Sequence, residues 1–217
     1  MSSSAGLIAP ALPLWRSSPG RTARLVVGLW IFGTGEAFIV LSSLGNSPWT
    51  VFAEGLAVQT PLTIGMATIV TGLALFAIWV PLKVRPGLGT LLNAFLIGFA
   101  IDATLALIEP PQALLWQIGL LLIGLATVGV GSGLYLGTAH GPGPRDGLMT
   151  GLHRATGRPI SLVRALIELT ALGIGWLLGG TVGIGTVLFA MIIGPAVQAG
   201  IALDRRVWHR SVSGHSD

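Results

Sequence analysis

The chain has 217 residues, of which 52% are apolar and only 9% charged, with 32 glycines and a mean hydropathy of +0.82. Soluble domains carry roughly 25% charge, so a water-exposed globule is excluded, because it could not cover its surface with so few charges. Disorder is excluded too, since disordered chains are poor in apolar residues. The composition is that of an all-α polytopic membrane protein. A formal charge of +4 and a pI near 11.1 do not point to nucleic acid, because the basic residues sort by membrane side. With no cysteine, disulfides and thiolate metal sites drop out.

The first 24 residues read as a disordered cytoplasmic tail. Their apolar stretch, Leu7 to Leu14, is short, broken by Pro10 and Pro13 and preceded by no basic residue, so it does not read as a signal peptide. Six stretches then have the roughly 20 apolar residues that a membrane helix needs. They are Leu25–Leu44, Leu62–Leu82, Gly89–Ile108, Leu114–Ala139, Ile160–Gly179 and Ile184–Leu203. A cytoplasmic tail, 205–217, follows. Arg16, Arg21 and Arg24 precede the first span. Lys83 and Arg85 follow the second. Arg145, Arg154 and Arg158 follow the fourth, Arg164 lies just inside the fifth, and Arg205, Arg206 and Arg210 follow the sixth. In a six-span chain all 12 basic residues fall on one side, which the positive-inside rule makes cytoplasmic along with both termini. Trp49, Trp79, Trp116, Trp176 and Trp208 fall near span ends, where interfacial anchors belong.

The chain matches itself at an offset of 96 residues without a gap. Gly33 and Gly35 recur as Gly129 and Gly131, Gly45 and Pro48 as Gly141 and Pro144, and Gly55-Leu56 as Gly151-Leu152. The run Gly87-Leu88-Gly89-Thr90 recurs as Gly183-Ile184-Gly185-Thr186. Three spans per copy make the second copy cross in the opposite sense. The expectation is an inverted 3+3 repeat, 25–110 and 111–204, of the kind found in secondary transporters and some channels. Duplication that merely built a stable bundle is the alternative.

Within the spans, ionisable residues need a partner or a purpose. Glu36, near the centre of the first span, is the leading candidate for a proton, cation or substrate site, against a protonated and packed glutamic acid. Asn93 and Asp102 lie nine residues apart on the third span and so face opposite ways. Asn93 is a site candidate, and Asp102 is expected to reach interfacial water. Arg164 and Glu168 are four apart and can pair along the fifth span, either structurally or as a clamp at the cytoplasmic mouth. Gln198 follows Gly194-Pro195, where a kink could open carbonyls to a cavity.

The loops 45–61 and 141–159 both open Gly-x-x-Pro and correspond at the repeat offset. Pro48, Pro144, Arg145 and Asp146 mark them as re-entrant half-helices or as surface-lying amphipathic segments. Glycines four apart, Gly129/Gly133/Gly137 and Gly175/Gly179/Gly183, suit close helix contact and a possible homodimer. The four histidines lack metal-ligand spacing. No catalytic motif is present, so neither an enzyme nor a bound cofactor is expected.

The runs Leu44-Gly45-Asn46-Ser47-Pro48-Trp49, Gly141 to Leu148 and Gly179 to Thr186, with Arg164-x-x-x-Glu168, resemble the YczE/YitT-like group of bacterial membrane proteins over about residues 25–205. The group is largely uncharacterised and its members are often labelled transporters of unsettled substrate, so the resemblance implies a multi-span protein of the bacterial membrane and its fold more than an activity. It also implies an Asp two positions after the loop proline in each repeat. Here Asp146 fits, but Thr50 stands in the first repeat, so a symmetric acidic pair at those positions is not expected. The functional expectation is a small-solute transporter or permease with a midplane site between repeats. The alternatives are a non-transporting accessory that binds partner proteins and a passive channel.

Overall fold

The computed structural model describes residues 14–15 and 17–213, with side chains to Arg206. The described residues form eight helices and no strand: α1 Pro19–Ser42, α2 Pro48–Gln59, α3 Ile64–Leu82, α4 Leu88–Leu107, α5 Leu114–Leu136, α6 Pro144–Thr156, α7 Ile160–Leu177 and α8 Ile184–Ser213. Six of these, all but α2 and α6, are long and apolar enough to cross a membrane. Their starts follow ordinary capping chemistry. Ser18 and Ser47 accept from Arg21 N and Thr50 N, each with proline at the first helical position, and Thr63 accepts from Met66 N.

Two boundaries differ from the sequence reading. The helix α1 starts at Pro19, inside the expected tail, because the Ser18-Pro19 cap lies upstream of the apolar run. The helix α8 continues to Ser213, past the expected end at Leu203. Asp204 draws that extension onto the bundle by pairing with Arg24 of α1, and both side chains are less than a tenth exposed. Residues 1–13, 16 and 214–217 of the two tails lie outside the described residues.

The helix starts at 48, 64 and 88 return at 144, 160 and 184, the offset seen in the sequence. Backbone detail follows. Left-handed residues occur in pairs at Ser43 and Ala139, Gly45 and Gly141, and Lys83 and Gly179. Gly89 N donates to His140 O at 2.9 Å, and its counterpart Gly185 N donates to Leu44 O at 2.7 Å. Each bond ties one half of the chain to the loop of the other half.

At the centre, α1 and α5 cross in opposite directions. A Cβ on Gly28 would lie 3.1 Å from Gly131 O, and one on Gly35 would lie 2.9 Å from Gly124 O. The small residues let the two backbones touch, which favours packing where water cannot drive it. The core continues from this seam through Leu25, Leu29, Ile97 and Ile101 on one side and Ile39, Leu121, Leu125 and Val128 on the other. The glycines proposed for a homodimer are consumed here. Gly129 meets Ala196, Gly133 meets Gly200, Gly175 meets Phe52 and Gly183 meets Leu44. Outward faces carry Leu115, Trp116, Leu169, Trp176 and Leu177, each more than half exposed in the bare chain. Apolar surface of this extent needs a lipid environment.

His140 sits in the loop between α5 and α6, 1% exposed, with neither ring nitrogen hydrogen-bonded. Burial first, and the nearby Arg21 guanidinium second, push its pKa below the ordinary 6.5. Folding therefore favours the neutral ring. Stability should be complete above about pH 6.5 and fall as pH descends toward the lowered folded-state value. The Tm of the detergent-purified protein should drop over that window, and His140→Gln should flatten the dependence. An equal drop in both proteins would contradict the assignment.

Candidate functional site

The two short helices meet end to end. A Cβ on Gly72, half-way along α3, would lie 3.7 Å from Pro144 Cγ, whereas Gly151 faces Leu82 and Val84 at the end of α3. The helix α6 thus starts at mid-height and runs toward the end of the bundle where α1 begins and α8 ends. The helix α2 runs the other way. Its later turns pack on Gly175 and Gly179, and Gln59 Nε2 donates to Leu178 O at 2.9 Å at the far end of α7. Glu54 anchors it there, accepting from Thr181 N at 2.6 Å, Thr181 Oγ1 at 2.9 Å and Asn46 Nδ2 at 2.8 Å. The residues of α2 and α6 that meet are Trp49 and Arg145, which correspond at the repeat offset. The guanidinium carbon lies 5.3 Å from the ring centroid, a cation–π contact.

The two N-termini open into one cavity of about 240 Å³. Pro48, Trp49, Pro144, Arg145 and Asp146 come from the two short helices, Glu36 and Phe32 from α1, and Asn93 and Ile97 from α4. The walls are completed by Ser132 and Tyr135 of α5, Arg164, Ile167 and Glu168 of α7, and Phe189 and Ile193 of α8. Glu36 is fully buried. Its Oε2 accepts from Ser47 Oγ at 2.8 Å and Thr50 Oγ1 at 2.6 Å, while its Oε1 has no partner. This carboxyl sits at the first turn of α2, where backbone N–H groups and the helix dipole favour negative charge. Across the cavity, Asp146 turns back on the Gly143 amide. Arg164 Nε bonds Glu168 Oε1 at 2.9 Å along α7.

Eight of the nine residues singled out from the sequence thus line one cavity: Glu36, Pro48, Asn93, Pro144, Arg145, Asp146, Arg164 and Glu168. Gln198 does not join them. It lies exposed on the outer face of α8, which runs unbroken through Pro195. Asp102 is partly exposed near the end of α4. It caps α3, accepting from Gly65 N at 2.8 Å and from Thr63 Oγ1. Trp79 is no interfacial anchor. It is buried against Gly147 and donates from Nε1 to Pro144 O at 3.0 Å, seating the start of α6. Trp49 likewise serves the cavity. Trp116 and Trp176 are exposed at span ends, and the side chain of Trp208 lies outside the described residues. Sequence reasoning missed Ser47, Thr50, Ser132 and Tyr135. The first two carried a signal, since Ser47-Pro48 is a cap-and-start pair and Thr50 matches Asp146 at the repeat offset.

The halves are unequal in one respect. The helices α3 and α4 pack closely, with Gly98 against Gly65 and Ile69. Their counterparts α7 and α8 scarcely touch, and a Cβ on Gly194, the counterpart of Gly98, would meet nothing within 4 Å. The cavity occupies that gap, so the Arg164–Glu168 pair lines it while remaining 55% and 36% exposed.

A helical membrane protein with two short helices meeting at a cavity that buried ionisable side chains help to line is the class that fold and site define. Residues 20–201 match the family of unknown function DUF6198, and the chain belongs to that family. A Haemophilus influenzae protein with the name "Uncharacterized protein" is 42% identical over 199 residues, 92% of this chain and 91% of the relative. "Uncharacterized membrane protein YczE" of Bacillus subtilis is 35% identical, covering 77% of this chain and 79% of its own length. "Uncharacterized protein YyaS" of the same organism is 28% identical over 75% of this chain and 83% of its own length. The YczE resemblance read from the Gly-Pro motifs therefore holds. No solved structure matches the chain.

Proposed function

We propose that this protein is a small-solute transporter of the bacterial plasma membrane, built as an inverted 3+3 repeat and working by alternating access around the central cavity. The observation that carries the reading is the meeting of the N-termini of α2 and α6 in a cavity that also holds the buried carboxyl of Glu36. Half-helix ends that converge at mid-height on an intramembrane ionisable group are a recurring form of transport site. The recurrence of helix starts, left-handed residues and cross-linking backbone bonds at one offset supports the repeat. Arg21, Arg24, Lys83, Arg85, Arg205 and Arg206 gather at the end of the bundle where α1 begins and α8 ends, which supports a cytoplasmic assignment for that end.

The test is an uptake screen. Proteoliposomes are incubated with a mixture of polar metabolites, and trapped solutes are read by mass spectrometry. At least one solute should accumulate over empty liposomes. Glu36→Gln, which keeps the side-chain shape, should lower that uptake by about tenfold or more, as loss of a charged contact implies. Uptake unchanged in Glu36→Gln would remove the assigned role. No enrichment with the wild-type chain would favour an accessory protein.

A further inference from the structure

We infer that the cavity binds an organic monocation, with its ammonium group held between Glu36 and Asp146. The inference rests on the transporter reading for its use and adds the charge class of the solute. Both arginines in the cavity already have partners. Arg164 is paired with Glu168. Arg145 lies on the Trp49 ring. Among the described residues neither Glu36 nor Asp146 forms an ion pair, and the Arg145 and Arg164 charges act on Asp146 only from beyond ion-pair distance. Glu36 is fully buried, lines the cavity and has an oxygen that receives no hydrogen bond. A buried carboxylate oxygen without a donor is costly, and a cationic donor in the cavity supplies what it lacks.

The placement of the two acids carries the argument further. Thr50 and Asp146 correspond at the repeat offset, as do Glu36 and Ser132. In the first half the carboxyl is on the long helix and the hydroxyl on the half-helix, and the two are bonded at 2.6 Å. In the second half the same pair of positions carries the hydroxyl on α5 and the carboxyl on α6. Each half therefore contributes one acid to the same cavity, by opposite routes. This restores the acidic pair that Thr50 had seemed to rule out. With Glu168 and the two arginines included, the ionised cavity is one negative charge in excess, which a single positive charge balances.

Size and lining distinguish an organic ion from a bare metal ion. A volume of about 240 Å³ is several times the roughly 30 Å³ share of one water. Phe32, Tyr135 and Phe189 line its wall, and aromatic rings attract cations. An alkyl- or arylammonium can set its head between the carboxyls and its body against the rings.

Three probes that share one ring decide the charge class: benzylammonium, benzyl alcohol and benzoate. Each is titrated against the full-length purified protein in detergent, and thermal unfolding is followed. Benzylammonium should raise Tm in a saturable way, and the other two should not. Its apparent affinity should fall about tenfold or more in Glu36→Gln and in Asp146→Asn, and should be unchanged in Glu109→Gln, an exposed residue outside the cavity. Stabilisation by benzoate, an equal effect of benzyl alcohol, or no shift with any probe would overturn the proposal. The wild-type series decides even if a variant fails to fold. Glu36- and Asp146-dependent binding without flux would refute transport and leave the cation site standing. Glu36-dependent flux of an anionic or neutral solute would do the reverse.

Discussion

Arg24→Met should leave little folded protein in the membrane, with an expected loss of about 3–5 kcal/mol. Arg24 donates to Asp204 across the α1–α8 contact, and the side chains are 9% and 7% exposed. Removing the cation leaves the Asp204 carboxylate buried without its counter-charge, and the desolvation already incurred is no longer offset. The double variant Arg24→Met/Asp204→Leu removes both charges and should recover much of the loss, because two apolar groups of similar volume can replace a buried pair at little cost. Denaturant titration of the purified variants reads this directly. A single variant as stable as the parent, or a double variant no better than the single, would show that the pair does not hold α8 to α1.

The second large effect concerns two glycines that the sequence makes equivalent. Gly98→Ala should destabilise by about 1–3 kcal/mol or more, the range for overpacking. Its new Cβ would lie 2.5 Å from Gly65 O, on backbone that cannot swing aside. Asp102 also fastens the start of α3 at this contact. Gly194→Ala, at the matching position of α8, meets open space. It should be neutral, or stabilising by up to about 1 kcal/mol through helix propensity. Comparing the two unfolding curves tests whether α7 and α8 stand apart. Equal losses would mean that the second half closes as tightly as the first.

This asymmetry marks where sequence reading reached its limit. Hydropathy located the six spans, closely except at the start of α1 and the end of α8, because membrane length and charge cost act on each segment separately. The 96-residue match also pointed at α2 and α6, because Gly-x-x-Pro specifies a turn followed by a helix start wherever it occurs. Depth was not legible. That α6 starts at mid-height depends on Trp79 and Gly72 of α3, which a linear reading assigns to an interfacial anchor and an ordinary apolar turn. Asp102 and Gln198 correspond at the repeat offset and differ in fate for a similar reason. One finds a helix N-terminus to cap, and the other faces outward because its neighbouring helix has moved away. The gathering of Glu36, Asp146, Arg145 and Arg164 in one cavity was legible only as a set of costly intramembrane groups. Their convergence required knowing which helices cross.

Transport requires the cavity to be a route through the membrane rather than a sealed pocket. The chain has no cysteine, so Ser132→Cys places one reporter thiol on the cavity wall. Oriented proteoliposomes are treated with a membrane-impermeant thiol reagent from one face and then, in a separate sample, from the other. Alternating access predicts labelling from both faces, with each rate reduced by any solute that is transported. Labelling from one face alone, or from neither, would contradict it.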